Sequence, residues 1–242
     1  MAVVMGEVRG VNPRVTRLVE QQVRRWQLEE RRQSAPPAPV NVALSRLPRS
    51  QAAELGQHVA EALGFGFFGI AIVEEMARDQ GVQRELVGGV DEHVRSLIER
   101  FVVDSFRRRP FLESDYVHGV VRTIATLGQR GRAVLLGRGS AQILPPERAL
   151  RVLVVAPTAD RVERLAKQED LGLDDARSRL AREDAQRREF IQHHFRVDPD
   201  DPTLYDLVVN TAVFGPEDAT PVVVSALARR FPGRVQAGVA LT

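Results

Sequence analysis

Residues 41–63, NVALSRLPRSQAAELGQHVAEAL, have the layout of a phosphate-binding site: a short apolar strand, a tight loop and an amphipathic helix. A loop that surrounds phosphate with backbone N–H groups normally contains glycine and often a lysine. This loop instead carries Pro48, Arg49 and Gln51. Two interpretations stay open: a plain strand-to-helix turn, or a phosphate site to which Arg46 or Arg49 supplies charge from a different angle.

A second candidate anion ligand is Arg138, in the stretch RAVLLGRG over residues 132–139. The stretch predicts a buried strand that runs into a glycine loop. A charge directly after a buried strand needs a partner, because burial without one is costly. A salt bridge at the rim of the sheet and the phosphate of a ligand are the two alternatives.

The histidines predict no metal site. His193 and His194 are adjacent and point about 100° apart on a helix. His58, His93 and His118 lie on separate predicted helices without ligand spacing. The absence of cysteine excludes disulfides and thiolate metal sites, and it fits a reducing cytoplasm.

The charged residues argue against a nucleic-acid partner. Of the 34 basic residues 33 are arginine, so no loop offers a catalytic lysine; the only lysine is Lys167. Residues 1–40 hold 7 arginines against 4 acidic residues, and the rest of the chain holds 27 basic and 28 acidic residues. A nucleic-acid-binding surface normally shows a basic stripe interleaved with aromatic residues, and this sequence has no such stripe.

Behind these loops, strands and helices alternate. Apolar, β-branched stretches predict strands, and longer stretches with apolar residues at helical spacing predict helices. The predicted strands cover 40–45, 132–139, 150–157 and 205–211, with a short strand or loop at 65–70. The predicted helices cover 50–63, 71–80, 89–108, 114–130, 158–168, 173–195 and 216–231.

This alternation indicates a parallel sheet with helices on both faces, which is a three-layer α/β fold. Ligands of such sheets bind beyond the carboxyl ends of the strands. The loops expected to form the site are therefore 45–50, 137–142, 156–161 and 210–215. At the end of the last strand, Asn210 could hydrogen-bond a ligand or cap the next turn.

An N-terminal helical arm is predicted before this domain. Residues 12–32 place apolar side chains at helical spacing, and SAPPAPV at 34–40 reads as a stiff proline-rich linker. We therefore divide the chain into an arm with linker, 1–39, and an α/β domain, 40–242. The apolar stripe of the arm is expected to dock on the main domain or on a second subunit, which would give a homodimer.

No membrane partner is expected. No apolar run approaches the roughly 20 residues that cross a bilayer. The N-terminus lacks the long apolar stretch of a secretory signal. These observations predict a cytoplasmic protein.

Six pieces of the sequence, in order, resemble the cytidylate-kinase-like family, a branch of the nucleoside monophosphate kinases with the P-loop fold. The resemblance runs from about residue 40 to residue 231. The first piece is the opening strand and loop, in which Ser45, Arg46, Ser50, Leu55 and Gly56 fit the family pattern. The others are LGFGFFG (63–69), VLLGRG (134–139), VLVVAPTADRVERLAKQE (152–169), REDAQRREF (182–190) and YDLVVNT (205–211).

The resemblance implies ATP-dependent phosphoryl transfer to a nucleoside monophosphate such as CMP, with ATP and Mg²⁺ as cofactors. It implies that Arg138 contacts the acceptor phosphate and that charged helices cover the donor site as a mobile lid. The catalytic residues implied are Arg138, Arg161, Arg164, Asp184 and Arg187. The nucleotide- or phosphate-binding residues implied are Ser45, Arg46, Arg49, Ser50, Gly137, Gly139 and Asn210.

The sequence departs from the family pattern at two places. Where the family loop reads G-S-G-G, this chain has Arg49, Ser50, Gln51 and Ala52, followed by Ala53 instead of a basic residue. Where the family has an aspartate after two aromatic residues, this chain has Gly69. These departures support a second hypothesis: a catalytically inactive relative that binds a nucleotide or phosphate weakly, or that acts through a protein partner.

Overall fold

The computed structural model describes residues 13–30, 40–79 and 115–235. Five strands form its sheet: β1 (Asn41–Arg46), β2 (Gly66–Phe68), β3 (Ala133–Leu136), β4 (Ala149–Val155) and β5 (Leu207–Asn210). The helices of the described residues are α1 (Pro13–Glu30), α2 (Ala52–Leu63), α3 (Ile70–Arg78), α4 (Asp115–Arg130), α5 (Ser140–Ile143), α6 (Thr158–Glu169), α7 (Leu173–Phe195) and α8 (Pro216–Arg230). A short 3₁₀ helix covers Pro202–Leu204.

The five strands are all parallel and lie in the order β2-β3-β1-β4-β5. In the register, Leu44 of β1 pairs with Leu136 of β3 on one side and with Val152 of β4 on the other. Because β1 is central, the loop that follows it lies between the loops that follow β3 and β4. The carboxyl ends of these three strands form one edge, where the sequence predicts the site.

Helices cover both faces of the sheet because apolar residues alternate along its strands. Val42 and Leu44 belong to a core shared with α2 and α8, whereas Ala43 between them belongs to a core shared with α3, α4 and α7. The predicted three-layer α/β fold is thereby confirmed. Helix α2 lies so close to the sheet that a Cβ atom at Gly56 would stand 2.5 Å from the ring of Phe67.

Helix α1 packs against the core that includes α3 and α4. Val15 and Val19 are 2% and 1% exposed, and both belong to that core. Gln22 is buried as well, and its side chain donates a hydrogen bond of 3.5 Å to the carbonyl oxygen of Arg132. A Cβ atom at Gly66 would stand 2.4 Å from Gln22, so glycine makes room for the arm at this point.

Two predictions lie outside the described residues, namely the helix over 89–108 and most of the proline-rich linker. The boundary between residues 39 and 40 stays a prediction for the same reason. Helix α5 was not predicted, because its four residues are too few to show a helical period.

Candidate functional site

A cleft of about 450 Å³ lies at the carboxyl edge of the sheet, between the loops after β1 and β3 and the long helix α7. We call it the arginine cleft, because four arginines line it. Its walls are formed by Leu44, Ser45, Arg46, Pro48, Arg49, Ile70, Gly137, Arg138, Gly139, Ser140, Ala141, Gln142, Glu183, Gln186, Arg187, Phe190 and Ile191. Seven of the twelve residues predicted for the site are among them.

The β1–α2 loop, residues 47–51, has left-handed backbone at two positions that are not glycine. Arg49 has φ 63° and Gln51 has φ 58°. These are two of the places where the family pattern has glycine. A non-glycine residue in this conformation costs about 1–2 kcal/mol, so the surrounding structure must hold the loop in place.

Side chains from other elements hold the carbonyl groups of this loop. Arg161 donates to the carbonyl oxygen of Pro48 at 3.3 Å, and Arg164 donates to that of Arg49 at 3.2 Å. Thr211 donates to the carbonyl oxygen of Ser50 at 3.0 Å. Three consecutive carbonyl groups are therefore fixed, which explains how the strained backbone persists.

Arg161 is the centre of this support. Its side chain is 5% exposed and reaches both carboxylate oxygens of Asp184 with hydrogen bonds of 2.8–3.1 Å. It also donates to the carbonyl oxygen of Ala156 at 3.2 Å. Each of its three side-chain nitrogens donates to a group of the protein, so Arg161 and Asp184 join helices α6 and α7 to the β1–α2 loop, and neither lines the cleft.

The β3–α5 loop, residues 137–139, also has left-handed backbone, with φ of 74°, 50° and 76°. Here the outer two positions are glycine, which adopts this conformation without strain. Gly139 is required for space as well, because a Cβ atom there would stand 2.2 Å from the ring of Phe195. The loop places Arg138 on the wall of the cleft.

Arg46, the last residue of β1, differs from the other three arginines that line the cleft. It makes no hydrogen bond or ion pair with any side chain in the described part of the chain. Burial, together with the nearby charges of Arg187 and Arg138, lowers the pKa of its guanidinium to about 10, while the charge of Glu183 opposes this shift. Positive charge therefore accumulates at Arg46, which has no ion-pair partner of its own among the described residues.

Arg49 points from its loop toward helices α6 and α7. One of its amino groups donates to Glu169 and to Glu183, each at 2.8 Å, and the other donates to Gln168 at 2.9 Å. The hydrogen bond from Arg49 lowers the pKa of Glu183, so this carboxylate is ionised at neutral pH. The contacts join the β1–α2 loop to helices α6 and α7, and two of their members, Arg49 and Glu183, line the cleft.

Arg138 is paired with Glu74 of α3. The hydroxyl of Tyr116 also donates to Glu74, at 3.1 Å, and the guanidinium of Arg138 lies 5.1 Å from the ring centre of Phe190. Its Nε is buried and has no hydrogen-bond partner within the described residues. The salt bridge that the sequence offered as one interpretation is thus observed, whereas contact of this cleft residue with a ligand phosphate stays a prediction.

Arg187 is held by the segment that precedes β5. It donates to Asp200 at 2.7 Å and to the carbonyl oxygen of Pro199 at 3.1 Å. The hydroxyl of Tyr205 donates to the same carbonyl oxygen at 2.9 Å and lies 3.1 Å from Oγ of Ser45. One hydrogen-bonded network therefore positions a serine and an arginine on opposite walls of the cleft.

Three further predicted residues lie away from the cleft wall. Arg164 contacts the β1–α2 loop from outside, as described above. Ser50 is 1% exposed, and its hydroxyl has no hydrogen-bond partner in the described part of the chain. Asn210 accepts a hydrogen bond from the backbone N–H of Ala212 at 3.0 Å, so it caps the turn after β5.

Sequence reasoning missed Glu183, Gln186 and Phe190 as cleft residues. Together with Arg187 they recur at helical spacing on α7, and this spacing is a signal that could have found them. Glu74, Asp200 and Tyr205 were also missed. They act through an arginine or a serine of the cleft, and nothing in their local sequence indicates those partners.

The described residues contain no group of three or more His, Asp or Glu side chains that could hold a metal ion. The residues around the cleft therefore do not fit a resident metal. A divalent cation bound to a nucleotide is a separate case, because the phosphates themselves supply its ligands.

Within the described residues, no helix has the length and apolar character needed to span a bilayer.

Comparison with known proteins gives three findings. The sequence model of the cytidylate kinase-like family matches residues 41–213. A cytidylate kinase of Desulfurococcus amylolyticus is 29% identical over 77% of this chain and 91% of its own length, and one of Thermococcus kodakarensis is 30% identical over 34% and 43%. The chain thus spans under half of the latter.

A crystal structure of an uncharacterized protein from Eubacterium ventriosum superimposes with a TM-score of 0.63. It covers 78% of this chain and 98% of that chain at 16% identity. At this identity the likeness concerns the fold alone. It agrees with the parallel five-stranded sheet described above.

Proposed function

The chain belongs to the cytidylate kinase-like family, and on that premise we propose that the arginine cleft binds the phosphate group of a nucleoside monophosphate such as CMP. Arg46, Arg138 and Arg187 are the proposed ligands of that phosphate. We further propose that transfer of a phosphoryl group from ATP is slow or absent, because the β1–α2 loop does not fit a donor triphosphate.

The observation that carries the proposal is the buried charge of Arg46, which has no ion-pair partner among the described residues. Burial and two neighbouring arginines lower its pKa to about 10, so the cation is destabilised in the free protein. A phosphate dianion between Arg46, Arg138 and Arg187 would remove this repulsion and accept charge-assisted hydrogen bonds. A cleft of about 450 Å³ lies within the range of small-ligand pockets.

The donor half of the reaction lacks comparable support. A triphosphate needs free backbone N–H groups and close approach, which glycine normally allows. Here Arg49 lines the cleft, and its side chain is bound to Glu169 and Glu183. ATP with Mg²⁺ would supply the transferable phosphoryl group if it bound, but we assign no residue of this loop to it.

An active kinase is the second candidate, and one observation favours it. The β1–α2 loop keeps left-handed backbone at Arg49 and Gln51, the conformation that glycine would give a phosphate loop. In an active enzyme, Arg49 would leave its carboxylates and take the place of the missing lysine. The roles of Arg161, Arg164 and Asp184 would then be to support that loop.

The test separates binding from transfer. Calorimetric titration with CMP is expected to give measurable binding that Arg46→Gln abolishes, while the melting temperature of the variant stays at or above the original value. Arg164→Gln is the matched control, because this arginine contacts the loop from outside the cleft. Equal CMP affinity in Arg46→Gln and the original chain would refute the proposed site.

ADP release from MgATP, measured with and without CMP, tests the second half of the proposal. We expect no CMP-dependent release above the background rate. Steady CMP-dependent release would establish the active kinase in place of the binding protein. The measurement uses the full chain, so that the arm remains in place.

A homodimer through the arms also stays a proposal. Val15 and Val19 are buried against the same chain, so an exchanged arm would have to leave this position and refill the same core in a partner. Light scattering of the full chain and of a chain without residues 1–38 would measure the difference in mass.

A cytoplasmic location likewise stays a prediction.

A further inference from the structure

The arginine cleft contains one carboxylate among its described lining residues, that of Glu183. A carboxylate is an unexpected group on the wall of an anion site, because it repels the ligand. Three other carboxylates hold cleft arginines but do not line the cleft: Glu74 holds Arg138, Asp200 holds Arg187 and Glu169 holds Arg49. Glu183 therefore needs a separate explanation.

Glu183 has two electrostatic relations at once. Its carboxylate accepts hydrogen bonds from Arg49, at 2.8 and 3.2 Å, and so links α7 to the β1–α2 loop. It is also the group that opposes the mutual repulsion of the cleft arginines at Arg46. In the free protein Glu183 thus supplies negative charge to a cleft whose other charged lining residues are arginines.

We propose that Glu183 is an internal competitor of the ligand phosphate: its carboxylate, held by Arg49 on the wall of the cleft, supplies negative charge beside the cleft arginines, and a phosphate displaces it on binding. This inference rests on the proposed function, since it concerns regulation of the same cleft. Displacement would release Arg49 from α7, so ligand binding and opening of the contact between the β1–α2 loop and α7 are coupled. The site then favours ligands with at least two negative charges, because such a ligand supplies more negative charge than the carboxylate that it displaces.

A matched pair of substitutions isolates this role. Glu169 and Glu183 both accept from the same amino group of Arg49 at 2.8 Å, and their side chains are 26% and 25% exposed. Both also contact Arg179. Only Glu183 lines the cleft. Glu169→Gln therefore removes an equivalent ion pair without changing the charge of the cleft.

The experiment titrates inorganic phosphate and CMP separately into the full chain, Glu183→Gln, Glu169→Gln and Arg46→Gln by calorimetry. We expect Glu183→Gln to bind both probes about fivefold tighter or more, because a fixed like charge near the ligand is removed. Glu169→Gln should bind like the original chain. Glu183→Ala gives a second variant with the same expected gain, and thermal melts verify that every variant is folded.

Four outcomes are distinct. A gain in Glu183→Gln alone supports the inference, and so does binding that appears only in that variant. An unchanged or weaker affinity in Glu183→Gln overturns the inference, yet leaves the proposed function standing if the original chain binds and Arg46→Gln does not. An equal gain in Glu169→Gln also overturns it, because release of Arg49 would then be the cause. No binding by any chain overturns both.

Discussion

The two loops that border the arginine cleft reach the same left-handed backbone by different means. In the β3–α5 loop, glycine at 137 and 139 makes the conformation inexpensive, and Arg138 between them faces the ligand space. In the β1–α2 loop, Arg49 and Gln51 adopt it as non-glycine residues. A backbone shape can therefore be maintained by neighbours after the residues that normally produce it are gone.

The difference teaches where each loop keeps its stability. The β3–α5 loop depends on its own composition, since two glycines are sufficient to form it. The β1–α2 loop depends on contacts from distant elements, chiefly from Arg161, Arg164 and Thr211. Substitutions should consequently act locally in the first loop and at a distance in the second.

The largest effect is expected for Gly139→Ala. The residue has φ 76°, and its new Cβ would stand 2.2 Å from Phe195, so strain and overlap add to about 3 kcal/mol of lost stability. Gly137→Ala is the control, because its Cβ would meet nearest atoms at 3.0 Å and above. Urea denaturation of both variants measures the difference. Equal losses of stability in the two variants would show that backbone strain alone, without steric overlap, causes the loss.

Arg161→Ala should destabilise the protein by about 3 kcal/mol, because the largely buried pair with Asp184 is broken and a carbonyl group of the β1–α2 loop loses its donor. Arg164→Ala removes one hydrogen bond to the neighbouring carbonyl and should cost about 1 kcal/mol. Chemical denaturation compares the two. A small loss in Arg161→Ala would mean that the loop holds its shape unaided.

Restoring glycine to the β1–α2 loop should have opposite effects at its two strained positions. Gln51→Gly should stabilise the chain by about 1 kcal/mol, because strain is relieved and only an exposed contact with Glu54 is lost. Arg49→Gly should be neutral or destabilising, because it also loses two ion pairs. A gain of equal size in both variants would contradict the conclusion that the contacts of Arg49 with neighbouring helices stabilise the loop.

The smallest effect concerns pH. The hydrogen bond from Arg49 lowers the folded pKa of Glu183, so its contribution to stability is present above the ordinary glutamate pKa and is lost as the pH falls through the lowered value. The side chain is partly exposed, so solvent limits the contribution to less than about 1 kcal/mol. Denaturation at pH 7 and pH 3 should show a smaller pH dependence in Glu183→Gln than in the original chain.

The sequence was sufficient for the fold because each strand and helix carries its own pattern. The uninterrupted apolar run at 42–44 is typical of a strand that is buried on both faces, and in the structure Ala43 faces one core while Val42 and Leu44 face the other. The order of elements then limits the topology to a parallel sheet. The sheet order and register follow from packing, which no single stretch contains.

The partners of the site arginines could be predicted much less well. Arg161 was expected to contact a ligand and instead holds the carbonyl oxygen of Pro48, 113 positions away in the sequence. Arg49 finds Glu183 across 134 positions. A helix face can be assigned from spacing, but whether its arginine meets a phosphate, a carboxylate or a carbonyl depends on which element comes to lie opposite.

The position of helix α1 has a consequence for the order in which the protein folds. Val15 and Val19 are buried with residues as distant as Ile124 and Leu153, so their binding surface does not exist until much of the chain has been synthesised. Closing such a long loop is entropically unfavourable until the remaining core has formed. Helix α1 is synthesised before the other described helices, yet it is expected to be among the last of them to dock. During synthesis the apolar face of α1 would be exposed to solvent and accessible to a chaperone.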